Sequence, residues 1–68
     1  MIYLMEIFDS KNTSIEKPIE ANTYREAENI CKLQSRQNNG FPVILKQGKE
    51  QNAPFKKYQN GELISYSV

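Results

Sequence analysis

Histidine and tryptophan are absent from this 68-residue sequence, and cysteine occurs once. Each gap removes a class of function. Without histidine the commonest general acid–base group is missing. A single Cys31 cannot close an intramolecular disulfide, and one thiol with no imidazole does not make a structural zinc site. Only three glycines occur, and none lies in a glycine-rich strand-to-helix loop, so the dinucleotide and P-loop signatures are missing. No run approaches the roughly 18 apolar residues of a membrane span. The opening Met1-Ile2-Tyr3-Leu4-Met5 has no basic stretch before it and is interrupted by Glu6, so it does not read as a secretory signal. One cysteine and no export signal point to a reducing, cytoplasmic setting.

What is present fits one small domain over residues 1–68. A chain of this length buries only about 60% of the surface its unfolded form exposes. With no disulfide or metal, oligomerisation is the remaining common source of extra stability. The hydrophobic fraction is 38% and the mean hydropathy is −0.70, polar for a globular domain, but the apolar residues cluster. Abundant Asn, Gln, Lys and Ile, encoded by AT-rich codons, suit a low-GC genome, and the short length suits a phage or other mobile element.

Ile2 to Phe8 is β-branched and aromatic and is bounded by the turn residues Asp9-Ser10-Lys11-Asn12, which predicts a strand. Tyr3, Met5 and Ile7 share one face, and Ile2, Leu4 and Phe8 the other, broken only by Glu6. A strand apolar on both faces is expected to be central and covered twice. Thr13 to Ile19 alternates and forms a hairpin with the first strand, and Pro18 places it at a sheet edge. Thr23 followed by Glu26 makes a capping box. It opens a helix with Tyr24, Ala27, Ile30, Cys31 and, more laterally, Leu33 facing inward. Asn38-Asn39-Gly40, with Pro42 beyond, ends it. Val43 to Gln47 is a third strand, and 48–53 a polar connection expected to be mobile. Phe55 to Gln59 and Glu62 to Tyr66 flank Asn60-Gly61, the signal of a type I′ hairpin. That register sets Tyr58 opposite Leu63 and Phe55 opposite Tyr66. The fold class is α+β: a mostly antiparallel sheet of four or five strands with one helix on one face, in the order ββαβββ.

The sequence assigns no catalytic, cofactor-binding or metal-binding residue. Cys31, mid-helix on the core face, has neither a base nor a helix N-terminus to activate it. The carboxylates of neighbouring strands would need a deep cleft for glycosidase chemistry. An enzyme is therefore not expected. The expected function is a non-catalytic protein-binding module, an inhibitor or accessory factor acting by occlusion of its partner. A homodimer through Ile2, Leu4 and Phe8 is one form of it; a separate reading is a structural subunit of a larger assembly, which differs chiefly in being insoluble or unfolded alone. The alternative is nucleic-acid binding through the basic-aromatic hairpin 55–66. There Phe55, Lys56, Lys57, Tyr58 and Tyr66, with Lys46 and Lys49 upstream, form the candidate partner surface. Residues 41–68 carry a balance of +2, whereas residues 1–40 carry −1. Against that reading, the pI is 7.8 and nucleic-acid modules are usually more basic. Lysines on a hairpin also guard ordinary sheet edges. Glu6 either faces solvent or pairs with Lys17 or Lys46, because burying it alone is costly.

Overall fold

The computed structural model describes residues 1–50 and 52–67. Five strands form one antiparallel sheet, and a single helix crosses one of its faces. This is the α+β architecture, in the order ββαβββ, that the sequence predicts. Strand β1 (Ile2–Phe8) pairs with β2 (Ser14–Glu20), from Ile2 opposite Glu20 to Phe8 opposite Ser14. The turn between them is held by Ser10, whose hydroxyl oxygen accepts from the backbone N–H groups of Asn12 and Thr13 at 3.3 and 3.1 Å. Helix α1 (Tyr24–Arg36) follows. Strand β3 (Val43–Lys46) then pairs with the free side of β1, and β4 (Phe55–Gln59) and β5 (Glu62–Tyr66) extend the sheet as a meander. The spatial order is β2-β1-β3-β4-β5, with β2 and β5 at the edges. Pro18 does lie on an edge, where its missing N–H costs no ladder bond.

The helix begins where its cap dictates. Thr23 has extended backbone angles, and its hydroxyl accepts from the Glu26 N–H at 3.2 Å. At the far end, Asn39 and Gly40 have φ of 56° and 84°, and this left-handed pair turns the chain towards β3. The inward stripe is Ala27, Cys31 and Ser35, all fully buried. Three small side chains let the helix lie close over β3 and β4, reaching β1 less extensively. They close the core with Tyr3, Met5, Val43, Leu45 and Tyr58.

This close approach explains the main departures from the sequence reading. Because the small residues point at the sheet, Ile30 lies on the flank of the helix and Leu33, 56% exposed, faces outward. Ser35 takes an inward position that polarity alone would deny it. Its hydroxyl donates to the Lys32 carbonyl at 2.8 Å and accepts from the Gly61 N–H at 2.9 Å, so neither polar role is lost on burial. β1 is central but covered on one side only: the helix covers Tyr3 and Met5, and among the described residues no element covers the face with Leu4, Glu6 and Phe8.

The Asn60-Gly61 turn has φ of 53° and 83°, as a type I′ turn requires. The Arg36 side chain lies against Gly61 where a Cβ would be. Tyr58 does face Leu63, but a bulge shifts the register, so Tyr66 stands opposite Lys56 and not Phe55. The 48–53 connection, of which Gln51 lies outside the described residues, is closed at its base by the Gln47 N–H donating to the Pro54 carbonyl at 3.1 Å. Among the described residues no helix is long and apolar enough to cross a membrane.

Candidate binding surfaces

The seven residues singled out for partner binding do not form one surface, because side chains alternate along a strand. Phe55 and Lys57 lie on the face away from the helix, and Lys56 and Tyr58 on the helix side. Tyr58 is 1% exposed, in the centre of the core, and has no ring face to offer a base. The Lys56 ammonium is 3.0 Å from the Glu28 carboxylate and 5.2 Å above the Tyr24 ring, so its charge is already matched within the fold. Tyr66 is 64% exposed, and Lys49 is exposed in the connection before β4. Lys46 belongs to a third setting, the open face of the sheet.

That open face carries Ile2, Leu4 and Phe8 from β1, Ile44 from β3 and Phe55 from β4. Ile2 is 67% exposed at the sheet's end, and the others are half-buried by their neighbours. A charge network crosses the middle. Lys46 lies 3.2 Å from the Glu6 carboxylate and 3.0 Å from that of Glu16, and the Ser14 hydroxyl donates to Glu6 at 2.6 Å. Glu6 and Glu16 stand directly opposite across β1 and β2, a repulsive pair without the lysine between them. The Glu16 hydrogen bond holds the Lys46 ammonium above its ordinary pKa of 10.5; partial burial opposes this, and Glu6 adds to it. Glu6 therefore both faces the open side and pairs with a lysine. The network divides the apolar positions, which keeps the face wettable. Replacing Glu6 by Leu joins Leu4, Phe8 and Ile44 into one apolar strip. Glu6→Leu is expected to self-associate at micromolar concentration in sedimentation velocity, with the parent chain sedimenting more slowly; an unchanged coefficient counts against this role for the network.

The two edges of the sheet differ. β2 carries Glu16, Lys17, Pro18 and Glu20 in seven residues, the usual guards against unwanted strand pairing. β5 reads Glu-Leu-Ile-Ser-Tyr, has one charge and no proline, and is exposed at all five positions. Leu63 and Ile64 are 43% and 49% exposed, with Ile64 at the bulge.

A pocket of about 340 Å³ lies at the end of the open face, beside the β1–β2 turn. Phe8, Phe41, Lys11, Lys57, Ser10 and Gln59 give it its character. Phe41 and Lys11 carried no functional signal in the sequence, because neither lies in a strand or a motif. The separation of Lys57 from Lys56 was legible, since the Asn-Gly turn fixes which residues of the hairpin share a face.

Cys31 is fully buried, and burial pushes its thiol from 9.0 to about 12, which leaves essentially no thiolate at neutral pH. No protein-family model matches the chain, and no curated protein or solved structure matches it. The functional reading therefore rests on these surfaces alone.

Proposed function

We propose that the protein is a non-catalytic protein-binding module that takes an extended segment of its partner as a sixth strand against β5, and so occludes that segment. The observation that carries this reading is the contrast between the edges: β2 carries a proline and three charges, whereas β5 carries one charge and a single bulge along a mostly apolar, exposed strand. A lightly guarded edge offers a row of backbone donors and acceptors that another strand can complete. Leu63 and Tyr66 flank that edge on the helix side and would take alternate apolar side chains of the incoming strand. A second copy is the weaker occupant. A stable dimer buries about 800 Å² per partner, roughly a sixth of this protein's 4791 Å² surface. A five-residue strand paired with itself falls well short of that. A different protein can continue past the edge onto the exposed apolar flank. This is also the form in which an inhibitor or accessory factor of a mobile element would act, by masking a segment its target needs.

A photo-crosslinking amino acid placed in turn at positions 64, 66 and 17 tests the reading in source cells. Positions 64 and 66 are expected to yield one discrete heterologous adduct and position 17, on the guarded edge, none. In the purified complex, Ile64→Lys is expected to weaken affinity at least about tenfold, a loss of about 1.4 kcal/mol or more, with the melting temperature unchanged. Adducts from position 17 alone, or only a dimer of this chain, would sink the proposal.

A further inference from the structure

The pocket at the end of the open face is independent of the β5 edge, and its lining has a chemistry of its own. We propose that it binds a single nucleotide unit: a planar ring held against Phe8 and Phe41, with its phosphate between Lys11 and Lys57. Four observations support this assignment. Among the described residues the lining includes two lysines and no acidic side chain, so it is complementary to an anion. Its other large components are two phenylalanine rings, both half-buried, a surface suited to a flat aromatic body. Its volume, about 340 Å³, lies at the small end of the range for ligand pockets, about 300–1,000 Å³. That suits one nucleotide rather than an extended cofactor.

The fourth observation is that the walls are fixed before any ligand arrives. The Asn38 side-chain amide donates to the carbonyl oxygens of Phe8 and Phe41 at 2.8 and 2.9 Å, and the Pro42 carbonyl shares one of these hydrogens at 3.2 Å. One side chain thereby ties the end of β1 to the segment entering β3, and so joins the backbone that carries both rings. The Phe8 N–H donates to the Pro42 carbonyl at 3.1 Å, and the Gln59 amide to the Gly40 carbonyl at 2.6 Å. Such pre-organisation lowers the ordering cost that weakens binding at mobile sites. Ser10 adds a donor. Its oxygen accepts from two backbone N–H groups of the turn. Its own proton is committed to no acceptor among the described residues and is available to a phosphate oxygen.

The same chemistry has two sources, a free nucleotide or one residue of a single-stranded nucleic acid. The test is a titration of the uniformly ¹⁵N-labelled full chain followed by amide shifts, using AMP, adenosine, inorganic phosphate, dTMP and a short oligo-dT as probes. AMP is expected to give saturable shifts at residues 8–11, 40–41 and 57–59 at millimolar concentration or below. Adenosine and phosphate alone are expected to bind at least about tenfold more weakly, because each supplies one half of the recognition. The Lys11→Glu, Lys57→Glu double variant should lose AMP at least about tenfold and keep its melting temperature, since Lys11 is exposed and the half-buried Lys57 makes no ion pair among the described residues. A per-site affinity for oligo-dT at least about tenfold above that for dTMP supports the single strand as source, and equal affinities support the free nucleotide. Silence to AMP at millimolar concentration, adenosine matching AMP, or AMP shifts that persist in the double variant would each overturn the assignment.

Discussion

Tyr58→Ala is expected to lower the stability of the protein by about 3–5 kcal/mol at 25 °C. The side chain is the largest of those fully buried, and it packs where the helix, β3 and β4 meet. Truncating a buried aromatic costs about 3–5 kcal/mol, because the transfer energy is lost and a cavity remains. A domain of this size has roughly 3–10 kcal/mol in all, so the substitution removes a large share of it. Tyr58→Phe is the control. The hydroxyl makes no hydrogen bond to any described residue, and its removal is expected to cost less than about 1 kcal/mol. Urea unfolding followed by far-UV circular dichroism measures both. A folded Tyr58→Ala with a midpoint near the parent's would remove Tyr58 from the core. The result bears on function as well as stability. The hairpin Phe55-Lys56-Lys57-Tyr58 invites an alanine scan for nucleic-acid contacts, and loss of binding in Tyr58→Ala would report a damaged core rather than a lost contact. Lys57→Glu, whose side chain stands on the open face, is the informative substitution.

The elements of the fold were legible because their signals are local. The Asn60-Gly61 turn, the Thr23 cap and the Asn39-Gly40 reversal each act over a few residues, and each sits where the sequence places it. What was not legible depends on separations that one chain does not print. The inward stripe of α1 is a case. The sequence pattern places Ala27 and Cys31 inward, as found, but adds Ile30 and Leu33 and leaves out Ser35, because the helix lies close to the sheet only if its contact residues are small. Ala27, Cys31 and Ser35 therefore win the inward positions. Ser35 is tolerable there because the Gly61 N–H, 26 residues away, needs an acceptor. The bulge in the last hairpin is similar: the turn sets Tyr58 against Leu63, but the slip that moves Tyr66 to Lys56 arises along the ladder.

The candidate surfaces divide in the same way. Parity along a strand separates Lys56 from Lys57 and Glu6 from Met5, and parity is readable from the sequence. The pocket is not, because it joins Phe8, Lys11, Phe41 and Lys57, which are brought together by the β1–β3 pairing and by Asn38. The edge contrast was half visible: Pro18 marked β2 as an edge, but nothing local marked β5 as the other. The helix face of the sheet is spent on the core and the middle of the open face on the Glu6–Lys46–Glu16 network. Among the described residues that leaves β5 and the end of the open face exposed, and these are the two surfaces on which the proposals rest.

Stability is expected to fall steeply above pH 9, with Cys31 as the first cause. Burial raises its thiol from 9.0 to about 12 in the folded protein. Above pH 9 the unfolded chain therefore gains a thiolate that the folded core does not accept, and binds fewer protons than the folded state. Stability then declines with rising pH by about 1.4 kcal/mol per unit for each such group until the folded value is reached. Tyr58 acts with the same sign from about pH 10, because burial first, and then the nearby Glu28 carboxylate, raises its phenol. Lys46 adds to the loss at higher pH still: its folded pKa lies above 10.5, so its contribution is complete below that value and disappears as pH rises through the folded one. By pH 11 the thiol alone costs about 2.7 kcal/mol. Cys31→Ala separates the terms. Removing one buried sulfur costs roughly 1–2 kcal/mol by the cavity it leaves, but it abolishes the first part of the alkaline limb. The variant is expected to be the less stable protein at pH 7 and the more stable one at pH 11, the curves crossing at about pH 10. Urea midpoints at pH 7, 9, 10 and 11 for the two proteins test this. Parallel curves would mean that the thiol titrates alike in both states, and so that Cys31 is not sealed in the core.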